Sequence, residues 1–258
     1  MIVDINGGHS ALEKYRRGFK PVGSLDECHE GMNNFRIYEL IRKGLEEYED
    51  VTVTTSRPSM NDNPTLAARG LSGAGADLQI QLHSNAGGGH GPEVILRPDA
   101  TDNIVELAKG IRQAIRDLAD LPFRPLKFPV SDGKGGIIWK LQRGPGVSYF
   151  GELRHSPIKD TMLLEMAFHD NAEEAKFLRT KRQEIADAIV KTVANHYGLK
   201  PKQDRINGPY VNEAGERLWF RAFAGSFKTR AEAEAVIKDL EAKGYKDSWL
   251  MAAYVKEK

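Results

Sequence analysis

The sequence of 258 residues contains one cysteine, Cys28. No disulfide framework can form within a single chain, a pattern that fits a protein made in a reducing compartment. There is no excess of either charge: 37 Lys and Arg stand against 36 Asp and Glu. Residues 206–258 carry nine basic and eight acidic side chains, so neither part is a basic tail. The electrostatic footprint of a nucleic-acid binder is therefore missing. No apolar run approaches the roughly 20 residues that a membrane helix needs, and membrane insertion is not expected. The start, "MIVDINGG", lacks the basic region and apolar stretch of a signal peptide. The chain is accordingly expected to be synthesised in the cytoplasm. The glycines of "SDGKGG" do not make a phosphate-binding loop, because GxxxxGK followed by Ser or Thr is absent. What remains is an ordinary globular composition, 40% hydrophobic and 28% charged. The length allows one medium domain and a small one.

Strand-like and helix-like segments alternate over the first 198 residues. "MIVDI" (1–5), "DVTVTTS" (50–56), "DLQIQLHSN" (77–85), "PEVILR" (92–97) and "TMLLEMAF" (161–168) read as strands. In the third, Leu78, Ile80 and Leu82 face one way and Gln79, Gln81 and His83 the other. Helical spacing of apolar residues predicts helices over about 26–48, 103–119 and 172–197, the last capped by Asn171 and ended by Gly198. The pattern implies an α/β domain, residues 1–198, with a mixed central sheet flanked by helices. The segment 121–160, with "SDGKGG", "QRGPG", Trp139, Tyr149 and Phe150, reads as hairpin and loop material at the edge of a groove, or as aromatics packing a surface hairpin. Residues 199–215 are polar, carry two prolines and two glycines, and make the linker. Residues 216–258 form one small βαβ unit, which alone would bury little core and must dock or pair with a copy of itself.

Three strands carry residues that packing alone explains poorly. His9 follows the first strand after Gly7 and Gly8, His83 ends the third, and Glu165 lies inside "TMLLEMAF". A carboxylate within an apolar strand is costly without a specific partner, and strand ends of α/β sheets are where ligands bind. Two imidazoles and a carboxylate on neighbouring strand ends make either a metal site or an acid–base pair. An open zinc site takes three protein ligands, often two His and a Glu. A second glutamate then acts as base. The first helix supplies Glu27 and Glu30. Ser24 and Glu27 have capping-box spacing, which leaves Glu30 as the better ligand. Glycine at positions 7 and 8 is expected to let the chain turn tightly so that His9 reaches the site. Each residue has a plainer reading: His9 and His83 as satisfied strand-end histidines, Glu30 as a solvated first-turn glutamate, Glu165 as half of a buried ion pair. Of the other histidines, His155 alone merits a test; His29 should point elsewhere on its helix, and Cys28 reads as a small buried residue.

"VDINGGHS", "EGMNN", "TSRP", "LAAR", "ADLQIQLHSNAGG" and "LLEMAFHDN" follow one another in an order that resembles the zinc-dependent N-acetylmuramoyl-L-alanine amidases of the amidase-3 type, over about residues 1–197. The resemblance implies one zinc ion held by His9, Glu30 and His83, with Glu165 as the catalytic carboxylate. It implies a peptidoglycan substrate, cleaved between N-acetylmuramic acid and L-alanine. "WFRAFAGSFKTRAEAEAVIKDLEAKGY" (219–245) resembles half of a SPOR (sporulation-related) repeat, a peptidoglycan-binding unit; a half-repeat points to a homodimer that pairs two of them. A compact enzyme with one wall-binding unit fits a phage endolysin released through a holin. The alternatives are a sporulation amidase freed when the mother cell lyses, and an inactive peptidoglycan-binding protein. Two histidines and a carboxylate also suit a non-haem iron oxygenase, but Glu165 and the wall-binding tail disfavour it.

Overall fold

Apolar and polar residues alternate along the first and third strands, and that alternation decides what covers each face of the sheet. A computed structural model of the chain describes residues 1–13, 18–19, 28–119, 121, 138–139, 142–202, 210–211, 217–218, 235 and 238. In chain order the elements are β1 (Ile2–Gly7), β2 (Gly18–Phe19), β3 (Cys28–His29), α1 (Glu30–Glu46), β4 (Thr52–Thr54), α2 (Leu66–Leu71), β5 (Leu78–Asn85), β6 (Glu93–Leu96), α3 (Asp102–Asp117), β7 (Ile138–Trp139), β8 (Gln142–Gly144), β9 (Val147–Ser148), α4 (Gly151–His155), β10 (Thr161–Phe168), α5 (Ala172–Thr180) and α6 (Arg182–Tyr197). Six strands form one sheet in the order β4-β1-β5-β10-β6-β7. The first four are parallel; β6 runs against β10, and β7 runs with β6. The sheet is mixed, as the alternation implied.

One face is apolar. Val3, Ile5, Leu78, Ile80, Leu82, Val94, Met162 and Leu164 are fully buried there. They share one core with Ile37 and Ile41 of α1, Ile104 and Ile111 of α3, and Ile185 and Ile189 of α6. Each such side chain contributes about 1.5–3 kcal/mol on burial. The opposite face is polar and equally buried. Asp4, Asn6, Gln79, Gln81 and Thr161 have no exposed surface. Hydrogen bonds offset the cost of burying them. Asp4 Oδ2 accepts from Asn6 Nδ2 at 2.6 Å, Ser72 Oγ at 2.8 Å and Gln79 Nε2 at 2.8 Å. Gln79 and Gln81 both donate to the Arg69 carbonyl, at 3.0 and 3.2 Å. These bonds tie α2 to the sheet, and Leu153 of α4 packs on Ile95 and Leu163 beside them.

The structure departs from expectation in three places. Helix α1 starts at Glu30, capped by His29, whose Nδ1 accepts from Met32 N at 3.4 Å. Ser24 and Glu27, read as a capping box, lie outside the described residues. The helix expected over 172–197 is two helices, broken at Lys181, where Thr180 Oγ1 donates back to the Lys176 carbonyl at 2.8 Å. Its outer ends are as expected: Asn171 Oδ1 caps the start, and Gly198 ends it in the left-handed region, φ 62°. The segment 121–160 holds, besides the hairpin of β8 and β9, the short helix α4.

The chain divides into two units, Met1–Lys202 and Gln203–Lys258. In the second, β11 (Tyr210–Val211) and β12 (Arg217–Leu218) pair antiparallel, and Ala235 and Lys238 are helical. The rest of the expected βαβ unit, and "SDGKGG" in the first unit, lie outside the described residues. No helix among the described residues is long and apolar enough to cross a membrane.

Candidate metal centre

The C-terminal ends of β1 and β5 and the first turn of α1 meet at one point. His9 follows β1, His83 lies near the end of β5, and Glu30 opens α1. One donor atom from each of the three lies within 4.8 Å of the others, and theirs is the one such cluster among the described residues. Glu30 Oε1 is 3.2 Å from His83 Nδ1, and Glu30 Oε2 is 3.5 Å from His9 Nε2. The Ser84 backbone N–H also donates to Glu30 Oε1, at 3.2 Å. The imidazoles meet edge to face, 5.1 Å between centroids. Glu165 stands one strand further along, opposite both His83 on β5 and Glu93 on β6. It is 8% exposed, and its Oε2 is buried without a hydrogen bond.

The glycines before His9 act differently from expectation. Neither Gly7 nor Gly8 has a positive φ; the left-handed residue is His9 itself, at φ 60°. That conformation costs about 1–2 kcal/mol for a residue with a Cβ. Gly7 and Gly8 are needed for close approach. A Cβ on Gly7 would lie 3.1 Å from the α1 backbone, and one on Gly8 2.2 Å from His83 Cε1. Two buried arginines hold the turn. Arg57 Nη1 donates to the carbonyls of Gly7, Gly8 and Gly31 at 3.2, 3.2 and 2.9 Å. Arg69 Nη1 donates to Gly7 O at 2.5 Å, and its Nη2 to His9 O at 3.3 Å. Burial, then the neighbouring Arg69, lowers the Arg57 pKa to about 10, so it keeps its charge at neutral pH.

The electrostatics separate the two glutamates. Burial opposes charge on Glu30, but the hydrogen bond and charge of His83, then His9 and His169, outweigh it and hold the carboxyl at about 2. Burial also opposes charge on His83, yet the neighbouring carboxylates of Glu152, Glu30 and Glu165 raise it to about 10. Glu165 goes the other way. Burial raises it; His83 opposes this, while Glu30, Glu93 and Glu152 add to it, bringing it to about 8. Without a cation, then, Glu30 is an anion, His83 carries a proton, and Glu165 is largely a neutral acid at pH 7. A metal ion would replace the proton on His83. Two imidazoles, one carboxylate, the space left by Gly8 and the unbonded Glu165 oxygen together fit an open site for a zinc-like cation.

Several residues at the site escaped the sequence reading. Glu13 Oε2 lies 3.1 Å from His9 Nδ1, and Glu152 Oε1 lies 3.5 Å from His83 Nε2. His29, expected to point away from Glu30, does not join the cluster: it caps α1, and its Nε2 meets the Glu13 carbonyl. His169, buried, bonds the Ser84 carbonyl through Nδ1 at 2.8 Å. His155 is exposed at the end of α4 and does not join the cluster. The side chain of Cys28 lies outside the described residues. Glu13 sits one helical turn's spacing from His9, and Arg57 and Arg69 are the arginines of "TSRP" and "LAAR". Nothing in the sequence around Glu152 marks it.

Comparison with known proteins bears on the family and the fold. A sporulation-specific N-acetylmuramoyl-L-alanine amidase of Bacillus subtilis (strain 168) is 26% identical over 204 residues, 77% of this chain and 67% of the relative. The N-acetylmuramoyl-L-alanine amidase CwlM of Bacillus licheniformis is 24% identical over 204 residues, 78% of this chain and 68% of that protein. Among solved structures, an N-acetylmuramoyl-L-alanine amidase from Clostridium difficile 630 shares the fold with a TM-score of 0.59 at 22% identity, over 76% of this chain and 96% of that one. The catalytic domain of CwlV from Bacillus (Paenibacillus) polymyxa var. colistinus does so with a TM-score of 0.59 at 18% identity, over 77% of this chain and 99% of that one. Residues 180–252 match the SPOR domain; the match begins in α5 and includes α6, which packs in the first unit. Residues 3–195 match the N-acetylmuramoyl-L-alanine amidase family of the amidase-3 type, and the chain belongs to that family.

Proposed function

We propose that the chain hydrolyses the amide bond between N-acetylmuramic acid and L-alanine in peptidoglycan, with His9, Glu30 and His83 as ligands of one zinc ion and Glu165 as the proton carrier. The observation that carries this reading is the convergence of three donors from separate segments beside a buried carboxyl. When bound, zinc supplies a coordinated water of pKa near 7 and Lewis acidity toward the scissile carbonyl. Glu165 does the rest of the acid–base work. As a carboxylate it takes a proton from the attacking water, and as an acid it returns that proton to the departing nitrogen. Its raised pKa suits the second task, and a nearby cation would lower it enough for the first. Glu30, ionised throughout, holds the two imidazoles, while Arg57 and Arg69 keep His9 in its left-handed turn.

The test is mass spectrometry of digested walls, with and without chelator. Stems released with a free N-terminal L-alanine, lost on chelation and restored by zinc, are the expected products; cut glycan strands with intact stems would contradict the assignment. The SPOR match supports wall binding by the C-terminal unit, checked by pull-down of the full chain on purified walls. Self-association through that unit is checked by sedimentation. The setting we propose is lytic, as a phage endolysin acting after holin release. A sporulation amidase is the second reading, favoured by the similarity to the sporulation-specific relative.

A further inference from the structure

His83 has a carboxylate on each side. Its Nδ1 lies 3.2 Å from Glu30 Oε1, and its Nε2 lies 3.5 Å from Glu152 Oε1. A neutral imidazole coordinates through one nitrogen and keeps its proton on the other. Glu30 belongs to the donor cluster with His9, and Glu152 does not. Nδ1 therefore faces the cation site, and Nε2–H faces Glu152. His9 is arranged the same way with its nitrogens exchanged. Its Nε2 faces Glu30 at 3.5 Å, and its Nδ1 faces Glu13 at 3.1 Å.

We propose that Glu152 is a positioning residue for the metal site: it accepts the Nε2 proton of His83 and so fixes that ring as an Nδ1 ligand. The carboxylate is well placed to do this. Its side chain is 4% exposed, so its direction is set by packing and not by solvent. Helix α4, which carries it, is pinned from behind. Arg97 Nη1 donates to the carbonyls of Leu153 and Ser156 at 3.3 and 2.5 Å. Gly70 of α2 lies so close that an added Cβ would stand 2.5 Å from the Glu152 carbonyl oxygen. Arg69, which holds the His9 turn, lies on that same helix. Helices α2 and α4 thus form one support, with Arg69 placing His9 and Glu152 placing His83. At 3.5 Å the contact is an ion pair, and among the described residues the buried Nε2 makes no hydrogen bond to any other group.

The inference rests on the metal site proposed above, and the experiment separates the two. Zinc affinity is measured by chelator competition on the full chain and on Glu152→Ala and Glu152→Gln. Nitrogen-15 NMR reads which imidazole nitrogen is protonated. Glu152→Ala should weaken zinc binding about 10- to 100-fold, the usual loss for the partner behind a ligating histidine. Glu152→Gln, whose amide oxygen still accepts from Nε2–H, should recover most of it. In the zinc-loaded wild type, His83 should show Nε2–H and a coordinated Nδ1. Unchanged affinity in Glu152→Ala would overturn the assignment. So would a spectrum with Nε2 coordinated, a readout independent of whether any variant folds. Failure of the wild type to bind zinc would instead remove the metal site, and this role with it.

Discussion

Gly8 lies flat against the His83 ring, and Gly8→Ala tests how tightly the site is built. The new Cβ would fall 2.2 Å from His83 Cε1 and 2.5 Å from each ring nitrogen. Carbon atoms rest at about 3.5–4.0 Å, so the ring must retreat by about 1.3 Å or more. A functional side chain tolerates about 0.5 Å of displacement, so His83 would leave the cluster. Losing only the partner behind a ligand costs about 10- to 100-fold in affinity, and displacing the ligand itself should cost at least the upper end of that range. The fold should suffer less, because a side chain can move where backbone cannot. Overpacking costs about 1–3 kcal/mol, and Gly8→Ala should sit at the low end, with Tm falling about 2–4 °C per kcal/mol. Gly31→Ala is the contrast: its Cβ would lie 2.4 Å from the Ser10 carbonyl oxygen and 2.5 Å from the Ser10 carbonyl carbon, both backbone atoms. That variant should lose stability at or above the high end. Chelator competition and thermal melts of the zinc-free proteins read both effects. Wild-type zinc affinity in Gly8→Ala, or a larger melting loss there than in Gly31→Ala, would refute the reasoning.

Glu165→Gln should bind zinc normally and lose about 10²- to 10⁴-fold in kcat, the share general acid–base catalysis supplies; an active, zinc-loaded variant would exclude the proposed proton carrier. Arg57→Met removes the cation that the carbonyls of Gly7, Gly8 and Gly31 share, while Gly7 O keeps Arg69 and Gly8 O keeps Asn34 Nδ2; it should destabilise the chain by about 1.5–3 kcal/mol, the worth of hydrogen bonding to a charged group, which chemical denaturation would measure. The pH dependence has a definite sign. His83 is raised from 6.5 to about 10, so its contribution to the zinc-free fold is full below pH 6.5 and is lost as pH rises toward 10. Glu165, raised from 4.5 to about 8, acts in the same direction, its contribution disappearing as pH passes 8. Zinc-free melting temperature should therefore fall between pH 6.5 and 10, while zinc affinity rises as the His83 proton becomes easier to displace. A melting temperature and zinc affinity that both stay flat over that range would contradict these protonation states.

The fold was legible where period and burial coincide. The strand 161–168 was read to the residue, because all eight of its side chains are buried and its ends are marked by turns. The polar alternation of Gln79, Gln81 and His83 was visible, but not that this face is as dry as the other. A sequence shows alternation; it does not show that Asp4, Ser72 and Arg69 will satisfy the amides. Helices α2 and α4, six and five residues long, are too short to show a helical period. The site was legible in its donors, since histidine after glycine and glutamate inside an apolar strand need explaining. Its supports were not. Glu13, Glu152, Arg57 and Arg69 are ordinary charged residues in sequence, and only the packing of α2 and α4 gives them a task. Gly7 and Gly8 matter for close approach and not for a left-handed turn: the left-handed residue is His9, and Gly8 makes room for a ring.

Everything in the account depends on one cation lying among His9, Glu30 and His83. Diffraction from zinc-soaked crystals, recorded on either side of the zinc absorption edge, tests it directly. The account predicts one strong anomalous peak, about 2.0–2.2 Å from His9 Nε2, His83 Nδ1 and a Glu30 oxygen. A peak elsewhere, or none at that point in zinc-saturated crystals, would contradict it.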